Sequence, residues 1–177
     1  MSSPIGFGGL FRYFRSLENV GKTKTLRFFR KTTQTLNKME AHLQSCYEVI
    51  LNAPVAKVWD ALVNPERIRQ YFYGTNLETD WQVGHPLRFW GEYEGHAYED
   101  KGVVMAFEPE QYLEYTYLSS WSGLPDVPEN YLRIRQEVYP APEGTRLVIR
   151  QTHYDAERLA HANAGWAQVT EAMKAIL

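Results

Sequence analysis

The chain of 177 residues has a single cysteine, Cys46, so no disulfide can close within it. A lone thiol fits a reducing compartment, and a cytoplasmic location is expected. No apolar run approaches the roughly 20 residues that a membrane-spanning helix needs. The histidines His42, His85, His96, His153 and His161 are scattered, with no His-x-x-x-His pair and no second cysteine to join them. That pattern gives no metal site and no cofactor to expect. Neither a Gly-x-Ser-x-Gly elbow nor a phosphate-cradling glycine loop is present, which sets aside the common serine hydrolases and nucleotide binders. Internal repeats and low-complexity tracts are also missing.

Acid is scarce at one end only. Residues 1–38 hold eight Lys or Arg and one acid, Glu18, for a charge of +7. The other 139 residues hold 11 basic and 20 acidic side chains, for −9. The formal total of −2 therefore describes neither part. A basic N-terminal extension over residues 1–38 followed by one domain over residues 39–177 is the expected division. In the extension, Phe7, Leu10, Phe11, Phe14 and Leu17 follow helical spacing beside Arg12 and Arg15, as in an amphipathic basic helix. Four readings stay open for it. It could lie on an anionic membrane surface, serve as an organelle import presequence, or grip nucleic acid, although it carries no docking motif. It could also be an upstream extension of no function, with Met39 as the true start. The ordered pattern begins directly after Met39-Glu40, which favours this last reading. For the domain itself no nucleic-acid partner is expected.

Within the domain, Leu43–Leu51 reads as a strand broken by Asn52-Ala53-Pro54. Val55, Val58, Trp59 and Leu62 then form an apolar stripe at helical spacing. Asn64 followed by Pro65 is a cap-and-start pair for a second short helix through Tyr71-Phe72. Six strand-like runs follow: Asn76–Trp81, Leu87–Tyr93, Tyr98–Phe107, Tyr112–Leu118, Tyr131–Tyr139 and Thr145–Tyr154, separated by glycine- or proline-bearing breaks. Trp166, Val169, Met173 and Ile176 recur at 3, 4 and 3 and mark a final helix. Consecutive strands with short turns predict an antiparallel sheet of about six or seven strands, covered by that helix. The fold class is α+β.

Alternation assigns the faces of the sheet. Leu132, Ile134, Gln136 and Val138 oppose Arg133, Arg135 and Glu137, and Leu147, Ile149, Gln151 and His153 oppose Arg146 and Arg150. Charged residues belong on the wet face, so Gln136, Gln151 and His153 are expected to point toward the helix. Phe89, Tyr93, Tyr115 and Tyr117 join them by the same rule, and Trp166 faces them from the helix. Apolar walls with sparse polar groups suit a small hydrophobic or aromatic ligand, and a drug-sized one needs about 300 Å³ or more. Plain core is the competing reading of any one of these positions. The stretch Ser119–Asn130, with Trp121, is either a flap over such a pocket or an ordinary long loop. His153 is the one catalytic candidate, as a base for a proton beside a carbonyl, against a simple hydrogen-bonded histidine. Cys46 is expected to be a small buried hydrophobe. Arg133 and Arg135 are expected on a solvated outer face, and Glu92, Glu94, Glu99 and Asp100 as acidic turn and edge residues.

Asn-Ala-Pro-Val-Ala-Lys-Val-Trp-Asp-Ala-Leu-Val-Asn-Pro-Glu, residues 52–66, resembles the opening helix motif of the START-like, SRPBCC superfamily. Tyr71-Phe72 with Gly74, Thr79–Gly84, Gly102-Val103-Val104, Phe107-Glu108-Pro109 before Leu113–Thr116, and Gly165-Trp166 narrow the resemblance. They point to the branch named for the C-terminal domain of the heat-shock-protein-90 ATPase activator, over about residues 43–177. The resemblance implies a helix-grip fold, a curved sheet around a long C-terminal helix with a cavity between. It also implies a stress-response context with a chaperone among the candidate partners. The chaperone activators carry a separate N-terminal domain, which residues 1–38 do not resemble. Ligand carriage or sensing is the first functional expectation. A cyclase or aromatase using His153 and a chaperone-associated interaction protein are the alternatives.

Overall fold

The computed structural model describes residues 43–177, so the expectations for the basic extension fall outside the described residues. The chain begins with β1 (Gln44–Leu51), then α1 (Val55–Val63) and α2 (Pro65–Tyr71). Six further strands follow: β2 (Asn76–Glu78), β3 (Pro86–Tyr93), β4 (His96–Glu108), β5 (Tyr112–Tyr117), β6 (Leu132–Ala141) and β7 (Gly144–Thr152). The described chain closes with α3 (Ala156–Lys174). The seven strands form one sheet in the order β1-β7-β6-β5-β4-β3-β2, every pairing antiparallel. This is the helix-grip fold, with α3 against the curved sheet.

Local chemistry accounts for the element boundaries. Asn64 accepts the Glu66 N–H at 3.0 Å and caps α2, while Pro65 occupies its first turn without costing a hydrogen bond. Asp155 caps α3 by accepting from the Arg158 N–H at 2.8 Å. In β4 the register slips between Val104 and Ala106, a bulge that bends a 13-residue strand and adds to the curvature of the sheet.

Alternation places the core. Leu87 and Phe89 of β3, Val104 of β4, Leu113 and Tyr115 of β5, Ile134 and Val138 of β6, and Leu147 and Ile149 of β7 are buried. Trp166, Val169 and Met173 of α3 are buried with them, as are Val58, Trp59 and Leu62 of α1. The outer face carries the charges: Glu114 pairs with Arg133 and Arg135 at 2.6 and 3.1 Å, and Glu137 with Arg135 and Arg150 at 3.0 and 3.3 Å.

Three local expectations are corrected. β2 stops at Glu78, because Trp81 takes a left-handed backbone (φ 60°) that turns its ring inward. There its Nε1–H donates to the Val63 carbonyl at 3.0 Å, and its ring stacks on Phe107 at 5.3 Å. Cys46 is exposed, because Ser45 and Leu51 hold the inward register of β1 and put residue 46 on the opposite side. Asp100 is no edge residue: it lies in β4 opposite Phe89 and is only 2 % exposed.

Candidate functional site

A cavity of about 290 Å³ lies between the inner face of the sheet and α3. Every neighbouring strand from β3 to β7 contributes to its wall, because a curved sheet cannot bring all its inward side chains into contact with one helix. Of the residues singled out from alternation, Phe89, Tyr93, Tyr115, Tyr117, Gln136, Gln151, His153 and Trp166 line it. Trp121 does not. It borders a separate shallow groove with Trp90 and Glu99, and meets Tyr93 and Tyr98 edge-on at 6.4 and 5.7 Å.

The polar groups of the wall are organised in pairs. Gln151 Oε1 accepts the indole N–H of Trp166 at 2.9 Å, tying β7 to α3. His153, 5 % exposed, has its Nε2 2.8 Å from the Ser45 hydroxyl on β1. Burial lowers the pKa of His153 from 6.5 to about 4, with Asp155 pulling weakly the other way, so the imidazole is neutral at pH 7. Thr75 and Tyr98 share a hydroxyl–hydroxyl bond of 2.6 Å.

Asp100 is the wall's buried acid, and sequence reasoning missed it. The hydroxyl of Tyr117 donates to its Oδ2, and Oδ1 accepts from the backbone N–H of Ser120 at 2.8 Å and the Ser120 hydroxyl at 3.0 Å. Burial pushes its carboxyl above the ordinary carboxylate value, while these donors pull it back down. Burial, and then the adjacent Asp100 charge, holds the Tyr117 phenol well above its usual pKa. One signal was available: Tyr98, Asp100, Gly102 and Val104 share the inward parity of β4. The surrounding acids Glu92, Glu94 and Glu99 masked it.

The Ser119–Asn130 stretch is fastened at both ends. It forms short 3₁₀ turns at Ser120–Ser122 and Pro128–Asn130. Lys101 bonds Asp126, Tyr131 bonds the same carboxylate at 2.7 Å, and the Tyr154 hydroxyl donates to the Asn130 carbonyl at 2.5 Å. Among the described residues, no group of three His, Cys, Asp or Glu side chains could hold a metal ion. No helix among them is long and apolar enough to cross a membrane.

A family model described as "Activator of Hsp90 ATPase homolog 1-like protein" matches residues 52–177. The solution structure of ChR145 from Cytophaga hutchinsonii shares 34 % identity at a TM-score of 0.67, over 77 % of this chain and 94 % of that one. Protein NE0264 from Nitrosomonas europaea shares 21 % identity at a TM-score of 0.62, over 77 % and 95 %. DynU16, a protein of the dynemicin biosynthetic locus, shares 21 % at 0.62, over 75 % of this chain and 46 % of that chain. The last two likenesses concern the fold alone. Among curated proteins none matches the chain.

Proposed function

This chain belongs to the activator of Hsp90 ATPase homolog 1-like family, and we propose that it binds a small aromatic or hydrophobic molecule beneath α3, as a carrier or sensor. The cavity carries the reading. Its walls are rings and aliphatic side chains, interrupted by a few hydrogen-bonding groups fixed in place by one another, the usual make-up of a small-molecule site. Its volume of about 290 Å³ sits just below the lower end of the range for drug-sized ligands. The occupant is therefore compact, of the order of one or two fused rings.

Native mass spectrometry on the full chain purified from cells tests this reading. A stoichiometric adduct of roughly 150–300 Da that survives gentle ionisation is the expected result. Protein that is uniformly unliganded, and that takes up no compact aromatic molecule in a binding screen, overturns it.

A cyclase or aromatase reading through His153 has less support. Its Nε2 is already engaged by Ser45, and a pKa of about 4 lies well below that of a base poised for neutral pH. Contact with a chaperone is the reading that the family name favours, and a pull-down with purified chaperone addresses it separately.

A further inference from the structure

Asp100 is a buried acid that no cation among the described residues answers. The donors around it are neutral: the Tyr117 hydroxyl, the Ser120 hydroxyl and backbone N–H, and the Ser119 hydroxyl beside them. Among the described residues, no Lys, Arg or His forms an ion pair with it, although exposed carboxylates elsewhere are paired repeatedly. A carboxylate taken out of water is normally matched by a positive charge, because solvation is lost and only a counter-charge replaces it fully. Asp100 is 2 % exposed, yet its side chain forms part of the cavity wall.

The surroundings point the same way. Tyr117 bonds the carboxylate directly, and Phe89, Asp100's cross-strand neighbour, lies 6.1 Å from the Tyr117 ring. Aromatic rings carry negative faces and attract cations in dry sites. Among the described residues the other charged groups on the cavity wall are Glu157 and Arg158, and Arg158 pairs with Asp155 and lies 5.2 Å over the Tyr154 ring. His153 is neutral, and His161 lies on an exposed turn of α3.

Resting on the binding reading above, we propose that the ligand is a compact arylalkylamine, an aromatic ring bearing an aliphatic amine, whose ammonium group pairs with Asp100. The carboxylate is then held by Tyr117 and Ser120 in the position that receives the ammonium, and the ligand's ring fills the remaining apolar space toward Trp166.

Three probes on one ring system test this: 1-naphthylmethylamine, 1-naphthalenemethanol and 1-naphthoic acid, titrated into the ¹⁵N-labelled full chain. The amine is expected to bind at least tenfold more tightly than the alcohol, and the acid most weakly, with shifts at the Trp166 indole. In Asp100→Asn the amine is expected to fall to within twofold of the alcohol. Because the amine-to-alcohol ratio is read on the unaltered protein, the test does not depend on that variant folding. An alcohol that equals or exceeds the amine overturns the amine proposal and leaves the cavity reading standing. Failure of all three probes to perturb cavity residues overturns both. An amine preference that survives Asp100→Asn in folded protein shows that the charge is read elsewhere and also overturns the proposal.

Discussion

The Tyr117 hydroxyl donates to the buried carboxylate of Asp100, joining the last residue of β5 to the middle of β4 on the inner face of the sheet. The bond sits where the sheet meets the Ser119–Asn130 stretch, since Ser120 donates to the same carboxylate. It therefore fixes one wall of the cavity and the start of the loop together.

Tyr117→Phe removes one donor from Asp100 and leaves the ring in place. A hydrogen bond to a buried charged group contributes about 1.5–3 kcal/mol, and a loss of that size is expected in urea unfolding. The Asp100 carboxyl should titrate at a higher pH in the variant, because one of the groups that lowers its pKa is gone. Unchanged stability together with an unchanged Asp100 titration would show that the bond does not form in solution.

His153 gives stability a defined pH dependence. Its pKa is 6.5 when unfolded and about 4 when folded, so the native state prefers the neutral ring. The contribution is fully present above pH 6.5 and is lost as pH falls from there toward 4, where the unfolded chain gains a proton that the native chain refuses. Asp100, whose pKa is raised, acts in the opposite sense, so the measurement is the difference between the wild type and His153→Gln. That difference should change by on the order of 3 kcal/mol between pH 7 and pH 4. Parallel pH–stability curves would refute the assignment.

Gly102 is required by a backbone contact. A Cβ there would stand 1.7 Å from the Thr116 carbonyl oxygen, and neither strand can yield without losing its pairing. Gly102→Ala is expected to cost about 3 kcal/mol or more, visible as a lowered thermal midpoint or as insoluble protein. An alanine variant as stable as the wild type would mean that β4 and β5 are spaced differently there.

Gln151→Leu removes the carboxamide oxygen that accepts the Trp166 indole N–H at 2.9 Å. The expected cost is about 1–3 kcal/mol, accompanied by a change in tryptophan emission as the indole environment alters. Binding of a compact aromatic probe should weaken less than stability does, because the cavity keeps its shape. A variant of unchanged stability would show that the indole finds another partner.

Alternation alone makes most of the wall legible. Gln136, Gln151, Tyr115 and Tyr117 could be assigned an inward face because neighbouring side chains on a strand point to opposite sides, whatever the strand pairs with. The same rule would have placed Cys46 outward and Asp100 inward. Both were misread because residue type was weighed above parity. Trp121 lay beyond the rule altogether, since it sits in a loop with no fixed period.

Local sequence sets the order of elements, the antiparallel connectivity, the covering helix and most of the inward side chains. These follow from local periodicity, caps such as Asn64-Pro65, and turn residues. Long-range packing sets the meeting of Ser45 with His153 across 108 residues, the approach of Gly102 to the Thr116 carbonyl, and the burial of Asp100 away from any described cation. It also sets the size of the cavity. Such features depend on how far the sheet curves and which distant segments close over it, and no short window of sequence contains both partners of a long-range contact.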